Sequence, residues 1–428
     1  MGARAPTPRR LLLGAFGDPG HAFPMIALGR ALAARGHHVT LQTWRRWREH
    51  VEAEGLAFAP APEYPVFPNG GVGSASLDFY QAVAQATTDT LPLVRELSPD
   101  AVVADILTLA PALAAELHGV PCATLIPHVH PNTPAHFPVY SLGARLPRSA
   151  PGRSLWRLAR RPVERGLERG RRELNHTRAQ LGLPAQEHYH GGISRQLAIV
   201  ATFPQLEYPR PSGGSEPGGW EANAHVVGPL MWEPPARDVE LPGGRQDDEP
   251  PLVLIAPSTA QDAEHRLLDA ALRGLADAPV RVLASYNRRL PSRALTVPDN
   301  ATLVDWISYS RTMPHCQLVI CHAGHGTLVR ALACGCPVVA APAVGDMNEN
   351  AARLDWAGAG VRLPRRFLGP RVLRLAVERA LGDPSIRTRA RELASWARTN
   401  DPGARAGELV EGLASRSLGA SRSGSGGL

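Results

Sequence analysis

The stretch CHAGHGTLVRALACGCPVVAAP, residues 321–342, packs two histidines, three of the chain's 5 cysteines and a glycine-rich turn into a short space. Three chemistries compete for it. As a metal site it would use Cys321, His322 and His325. Cys321 and His322 are adjacent on a strand-like run and point to opposite faces, so the spacing is poor for one ion. As an anion site, LVICHAGHGTLVRALACG is strand, tight turn and helix. Gly324 and Gly326 let backbone approach a ligand, the N–H groups near Gly326 and Thr327 start a helix unpaired, and the helix dipole is positive there. A phosphate suits that point, and Thr327 adds a hydroxyl. The turn lacks the Lys of a Walker loop and the Gly-x-Gly-x-x-Gly of a dinucleotide fold. The third reading is an ordinary strand-to-helix turn whose cysteines pack as small hydrophobes.

Other chemistry-bearing residues also follow strand-like runs. His21 comes after RRLLLGAFG, and an imidazole accepts a proton near neutral pH. Asp105 ends DAVVAD, as an orienting partner for a base or as a helix cap. Asp18 is another acid in the opening turn, three residues before His21. Trp306 and Ile307 follow NATLVD; an indole face suits any nucleobase, and core packing is the other reading of Trp306. Ser258 and Thr259 end LIAPST, where hydroxyls serve a ligand or a helix N-terminus. Asp346, Met347 and Asn350 lie in PAVGDMNENA. His128, His130 and His136 sit in a proline-interrupted loop without a fourth ligand, which argues against zinc.

These residues need a frame, and the pattern supplies one. The chain has 428 residues, 44% of them hydrophobic, which implies more than one domain. Apolar runs (RRLLLGAFG, DAVVADI, PCATLIPH, LAIVATF) alternate with helical patterns up to about residue 210. Arg153–Leu181 is expected as one long helix with Leu155, Leu158, Val163, Leu167, Leu174 and Leu181 on one side. A Pro/Gly-rich stretch, 211–250, reads as linker, with AHVVGPL a short strand inside it. The alternation restarts with PLVLIAPS, VRVLASYN, NATLVDWI, QLVICHAG and PVVAAP, with helices at 263–275, 327–334 and 348–357. Two doubly wound α/β domains, 1–210 and 251–388, are expected to face each other across a cleft, with helices at 389–416 and a tail at 417–428. EYPVFPNGGVGSASLDFY and PHVHPNTPAHFPVYSLG read as loops beside that cleft, suited to a hydrophobic or aromatic small molecule.

Composition narrows the classes. The net charge is +7, and all 46 basic residues are arginine, scattered among 39 acids, so nucleic-acid binding is not expected. Without lysine there is neither Walker nor Schiff-base chemistry. The odd cysteine count and the absence of Cys-x2-Cys speak against a disulfide framework. No apolar run is long enough for a membrane span, and the opening segment is too short for a signal core, so a cytoplasmic protein is expected.

CHAGHGT followed by PAVGDMNENA resembles the donor signature of the GT-B nucleotide-sugar glycosyltransferases, and more narrowly the actinobacterial enzymes that glycosylate antibiotics and other natural products. The opening GAFGDPGHAFP matches the family's Gly-His-x-x-Pro. The resemblance implies the GT-B fold, with the C-terminal helices returning to the N-terminal domain. It places His322, Thr327 and the Gly324–Gly326 backbone on the donor diphosphate, and Asp346 on the sugar hydroxyls. Asn350 would hold the loop or touch the phosphate. Trp306 would stack on the base, Ile307 would bond its edge through the backbone, and Ser258 and Thr259 would contact the donor. It makes His21 the catalytic base and Asp105 its partner. Met347 departs from the pattern, since the family commonly has a hydrogen-bonding Gln there; a deoxysugar suffers less from that change.

The resulting expectation is an inverting glycosyltransferase, monomer or homodimer, moving a sugar from a dTDP- or UDP-sugar to a hydroxyl of a small natural product. No cofactor or metal is expected, because the helix start meets the leaving charge and there is no Asp-x-Asp motif. Other GT-B chemistry (a peptidoglycan-type N-acetylglucosaminyltransferase or a nucleotide-sugar epimerase) and a non-catalytic auxiliary protein are the alternatives.

Overall fold

After Arg10 the run RLLLG has no polar residue and ends in glycine, which suits a strand covered on both faces. It forms β1 (Arg10–Gly14) inside a seven-stranded sheet. The computed structural model describes residues 7–63, 75–187, 192–209, 222–236, 249–258, 262, 264–291 and 294–423. The first sheet runs β3-β2-β1-β4-β5-β6-β7, all parallel, with β2 (His38–Thr43), β3 (Ala57–Pro60), β4 (Ala101–Asp105), β5 (Cys122–Ile126), β6 (Ala198–Val200) and β7 (Ala224–Val226). The second runs β10-β9-β8-β11-β12-β13, also parallel, with β8 (Leu252–Ala256), β9 (Arg281–Ser285), β10 (Ala301–Val304), β11 (Leu318–Cys321), β12 (Val338–Ala340) and β13 (Gly360–Arg362).

Parallel strands require crossovers, and helices supply them. Around the first sheet these are α1 (Pro19–Ala34), α2 (Arg48–Ala53), α3 (Ala75–Leu97), α4 (Leu109–Leu117), α5 (Ala150–Ala159) and α6 (Arg161–Gln180). Around the second they are α7 (Arg266–Leu275), α8 (Tyr309–Thr312), α9 (His325–Ala333), α10 (Asp346–Ala357), α11 (Pro370–Gly382) and α12 (Pro384–Thr399). The last helix, α13 (Pro402–Ser423), packs on α1 of the first sheet. Glu411 fixes it there by accepting both Arg35 Nε and Nη2, at 2.7 and 2.8 Å, and by meeting His37 Nε2 at 2.8 Å. This is the two-sheet GT-B architecture.

Strand order reverses between β1 and β4 in one sheet and between β8 and β11 in the other. Crevices open at such reversals, at the carboxyl ends of the strands. The residues after β1 and at the end of β4 include His21 and Asp105; those after β8 and β11 include Ser258 and His322.

Four local readings differ from the structure. AHVVGPL supplies β7, an edge strand of the first sheet, rather than part of a linker. Residues from Ala75 begin α3, so the end of EYPVFPNGGVGSASLDFY is helical, while 64–74 lie outside the described residues. The long helix breaks at Arg160, and Leu155 and Leu158 face solvent while Leu174 is buried. Of the segment 389–416, α12 lies mainly against α9 and reaches the first half through Trp396, whose ring meets Phe203 edge-on, while α13 packs on α1 of the first sheet.

A fully buried guanidinium joins the two halves. Arg353 of α10 donates from Nε to Glu349 at 2.8 Å, and from Nη1 to the Leu206 carbonyl at 3.1 Å and Glu207 at 3.2 Å, the last two from the first half of the chain. Its guanidinium carbon lies 3.5 Å from the centroid of the Tyr208 ring. Removing one partner of such a cluster leaves charge buried and unpaired. Arg353→Ala is therefore expected to cost about 3–5 kcal/mol, read as a lower denaturation midpoint by circular dichroism; an unchanged midpoint would refute the assignment.

Candidate active site

On the side of the first sheet, His21 occupies the first turn of α1, where Pro19 fits the missing N–H of an opening helix position. Its Nδ1 lies 2.8 Å from Oδ1 of Asp105, the last residue of β4 and fully buried. The other Asp105 oxygen accepts the Leu107 N–H at 3.2 Å. Asp105 therefore also steadies the turn leading to α4, whose N-cap is Thr108. Burial alone would lower the His21 pKa; the Asp105 carboxylate outweighs it and holds the ring above its ordinary value. With Nδ1–H given to Asp105, the neutral ring keeps its lone pair on Nε2. Asp18 is directed elsewhere, 3.5 Å from Arg46. Trp44 lies against Gly17, where a Cβ would come within 2.0 Å of the indole, so the turn before His21 requires glycine.

On the side of the second sheet, α9 begins at His325 with Gly324 as N-cap and no side chain capping it. The first N–H groups of this helix are thus free for an anion. A Cβ built on Gly324 or Gly326 meets nothing within 4 Å, so the space over both is open. The left-handed residue of the turn is Ala323, φ 60°, rather than either glycine. Thr327 is half-buried beside them. Asn350 donates to the Ala323 carbonyl at 3.0 Å and lies 3.5 Å from Asp346, tying α10 to the turn. Asp346 opens α10, and Met347 is half-buried against the second-sheet core.

His322 is placed differently from the reading that points it at a diphosphate. Its Nδ1 accepts the Ser258 N–H at 2.9 Å, and its Nε2 lies 3.2 Å from Asp262. Both ring nitrogens are held by protein, so the imidazole braces the β8 end against the β11 end. Burial raises the Asp262 carboxyl, but the His322 and Leu267 N–H contacts outweigh that and hold it far below the carboxylate range. Thr259 lies outside the described residues. Trp306 is half-buried after β10, with the Arg288 guanidinium 4.7 Å from its ring centroid, and the Ile307 side chain is buried in the core. Cys321 is buried and its thiol is pushed up to about 12, so it is protonated near neutrality.

The loop after β5 brings the two sides together. His128 lies with its ring centroid 6.4 Å from that of His21, its Nδ1 donating to the Val129 carbonyl at 2.7 Å. Asp346 is close enough to raise the pKa of both imidazoles. His325 is buried and bonds Thr202 of the first half at 2.9 Å through Nε2.

The sequence matches two family descriptions: the glycosyltransferase family 28 N-terminal domain over residues 11–124, and the erythromycin biosynthesis protein CIII-like C-terminal domain over 268–411. It is 30% identical to an O-mycaminosyltylonolide 6-deoxyallosyltransferase of Streptomyces fradiae, over 90% of this chain and 92% of that one. The chain belongs to the antibiotic-biosynthesis glycosyltransferases. It is also 29% identical to the 4'-demethylrebeccamycin synthase of Lentzea aerocolonigenes, over 94% and 99% of the two chains. Among solved structures it shares its fold with a glycosyltransferase in complex with dTDP, VinC, at TM-score 0.69 and 20% identity, over 95% and 100% of the chains.

Within this glycosyltransferase, sequence reasoning missed Asp262, Arg288 and Arg353, and considered His128 only as a zinc ligand. The signal for His128 was its place directly after a strand, the same signal that found His21. Neighbouring imidazoles also titrate apart. Burial, with His128 adding to it, pushes His325 down to about 3. A group with a depressed imidazole pKa contributes stability above its unfolded value that is lost progressively as pH falls from about 6.5 toward the folded value. In an NMR titration the His325 ring resonance should stay flat from pH 8 to pH 5, while His21 titrates above the ordinary histidine range. A His325 midpoint above pH 5 would contradict this burial.

Proposed function

We propose that this glycosyltransferase transfers a sugar, with inversion, from a dTDP- or UDP-sugar to a hydroxyl of a hydrophobic small-molecule natural product. The supporting observation is the His21–Asp105 pair, 2.8 Å apart, in the first half of the chain, with Asp346 of the second half close enough to act on His21, together with an uncapped helix start under open space in that second half. His21 Nε2 takes the proton of the acceptor hydroxyl. The oxygen forms its bond to the anomeric carbon as the bond from that carbon to the diphosphate oxygen breaks. The nucleoside diphosphate leaves with the electron pair. The N–H groups opening α9 and the Thr327 hydroxyl meet that charge, and no metal is required. Asp105 positions His21 and stabilises the imidazolium that forms.

Asp346 holds sugar hydroxyls, and Asn350 sets the turn against it. Trp306 carries the base, with Arg288 moving aside or sharing the ring. Ser258 borders the phosphates, and His322 keeps that border in place. Met347 gives no hydrogen bond to the sugar, which favours a deoxysugar. The 6-deoxyallosyl group in the name of the Streptomyces fradiae relative and the dTDP in the solved neighbour support a dTDP-deoxysugar donor.

His21→Ala should lower kcat/KM by about 10²–10⁴-fold while dTDP still binds by calorimetry. Full transfer activity in that variant would overturn the proposal. Because the base must be neutral and its pKa is raised by Asp105, kcat/KM should climb with pH through an ionisation above the ordinary histidine value. Asp105→Asn should shift that limb to lower pH and reduce kcat. An unmoved limb would mean that another group is the base.

A further inference from the structure

The chain's net positive charge is concentrated in one place. Residues 150–180, the α5–α6 arm, hold nine arginines and three glutamates, a surplus of six in a chain whose whole net charge is +7. Arg160, the break between the two helices, keeps helical dihedrals, φ −74° and ψ −25°, so the chain passes from α5 into α6 without an intervening loop. Leu155, Leu158, Arg161, Arg165 and Arg172 recur at helical spacing along one row. Leu155 is 65% exposed and Leu158 58% exposed, and no residue of α5 is buried.

Further along the arm the charges are paired, Arg169 with Glu173 and Arg172 with Glu168. Arg153, Arg157, Arg161 and Arg165 make no ion pair among the described residues. The far end of the arm is firmly held: Arg178 is buried and bonds both oxygens of Glu116, at 2.7 and 2.6 Å, and Leu174 is buried. The exposed leucines are therefore a feature of a fixed helix rather than of a loose segment.

We propose that the α5–α6 arm docks this enzyme on an anionic lipid surface, lying on the bilayer without crossing it. Leucines at helical spacing enter the acyl boundary, and arginines on the flanks reach the lipid phosphates along their apolar stems. A protein partner would need a carboxylate placed against each unpaired guanidinium around the two leucines, whereas a surface of lipid phosphates meets them without a fixed pattern. Nucleic acid would use the arginines and leave the leucines without a role. The loop from His128 to Ser149 links the catalytic cleft to the N-cap of α5, and along it Arg145 is paired with Asp355 of α10 at 2.8 Å. Docking thus sets the acceptor loop beside the lipid, where an apolar acceptor partitions. That purpose rests on the proposed acceptor class; the docking does not.

The full chain is sedimented with vesicles of phosphatidylcholine alone and of phosphatidylcholine with one-third phosphatidylglycerol. Apparent affinity should be at least ten-fold higher for the anionic vesicles and should fall with added salt. Two variants, Leu155→Ser with Leu158→Ser and Arg157→Gln with Arg161→Gln and Arg165→Gln, should each lose most of that binding. Both should keep the wild-type melting temperature and transfer to a water-soluble acceptor, which separates this test from that of the proposed reaction. Equal binding to both vesicle types would overturn the proposal. So would retention by the leucine variant, or binding to random duplex DNA tighter than to anionic vesicles.

Discussion

Arg353 is a charge that has no reason to be buried unless both sides of the molecule supply its partners. Glu349 on its own helix neutralises it from one side, and Glu207 with the Leu206 carbonyl does so from the other. A buried ion cluster contributes little net stability compared with an apolar replacement, but it tolerates only one arrangement of its members. Here that arrangement fixes how α10 stands relative to the end of β6. From α10, Asn350 holds the Ala323 carbonyl and hence the start of α9. From Glu207, the second oxygen accepts the His130 N–H at 2.6 Å and so holds the loop that carries His128 beside His21. One interaction thereby orders both walls of the cleft.

The cleft then sorts its imidazoles by surroundings alone. His21 has a carboxylate on Nδ1 and is held above its ordinary pKa. His128, with a carbonyl and the Tyr140 hydroxyl at Nδ1 and His21 nearby, is lowered by burial. His325, bonded to a hydroxyl, is lowered by burial to about 3. Chemically identical side chains are pushed apart because a carboxylate favours the cation, whereas a carbonyl or hydroxyl in a dry site offsets little of the desolvation. Protonating His21 is therefore the easiest charge to place in this space, as a proton acceptor at that position requires.

The two sheets and the residues at their strand ends were legible in the sequence because both depend on local pattern. A continuous apolar run predicts a covered strand, and the next residues lie at its carboxyl end; His21, Asp105, Ser258 and His322 follow from that. What was hidden depends on partners distant in sequence. Nothing local says that Arg353 meets Glu207, or that His322 spends both nitrogens on Ser258 and Asp262. The apolar spacing of Leu155, Leu158 and Leu174 is real, but periodicity assigns a face without saying whether anything covers it; only Leu174 finds a partner. The positive φ of the CHAGHG turn falls on Ala323 rather than on either glycine, which no local pattern announces.

The placement of His322 sharpens how the proposed reaction divides its labour. A histidine contacting the diphosphate would add a titrating group on the leaving-group side. With its ring engaged by Ser258 and Asp262, the donors left at the turn are backbone N–H groups and the Thr327 hydroxyl, and neither titrates near neutrality. Their orientation is set by the helix itself, so they need no reorganisation as charge develops. The pH-sensitive step is then confined to the opposite wall, at His21. In the proposed reaction the proton is then accepted on one wall, at an imidazole tuned by one buried carboxylate, and the leaving charge is received on the other by backbone dipoles and a hydroxyl.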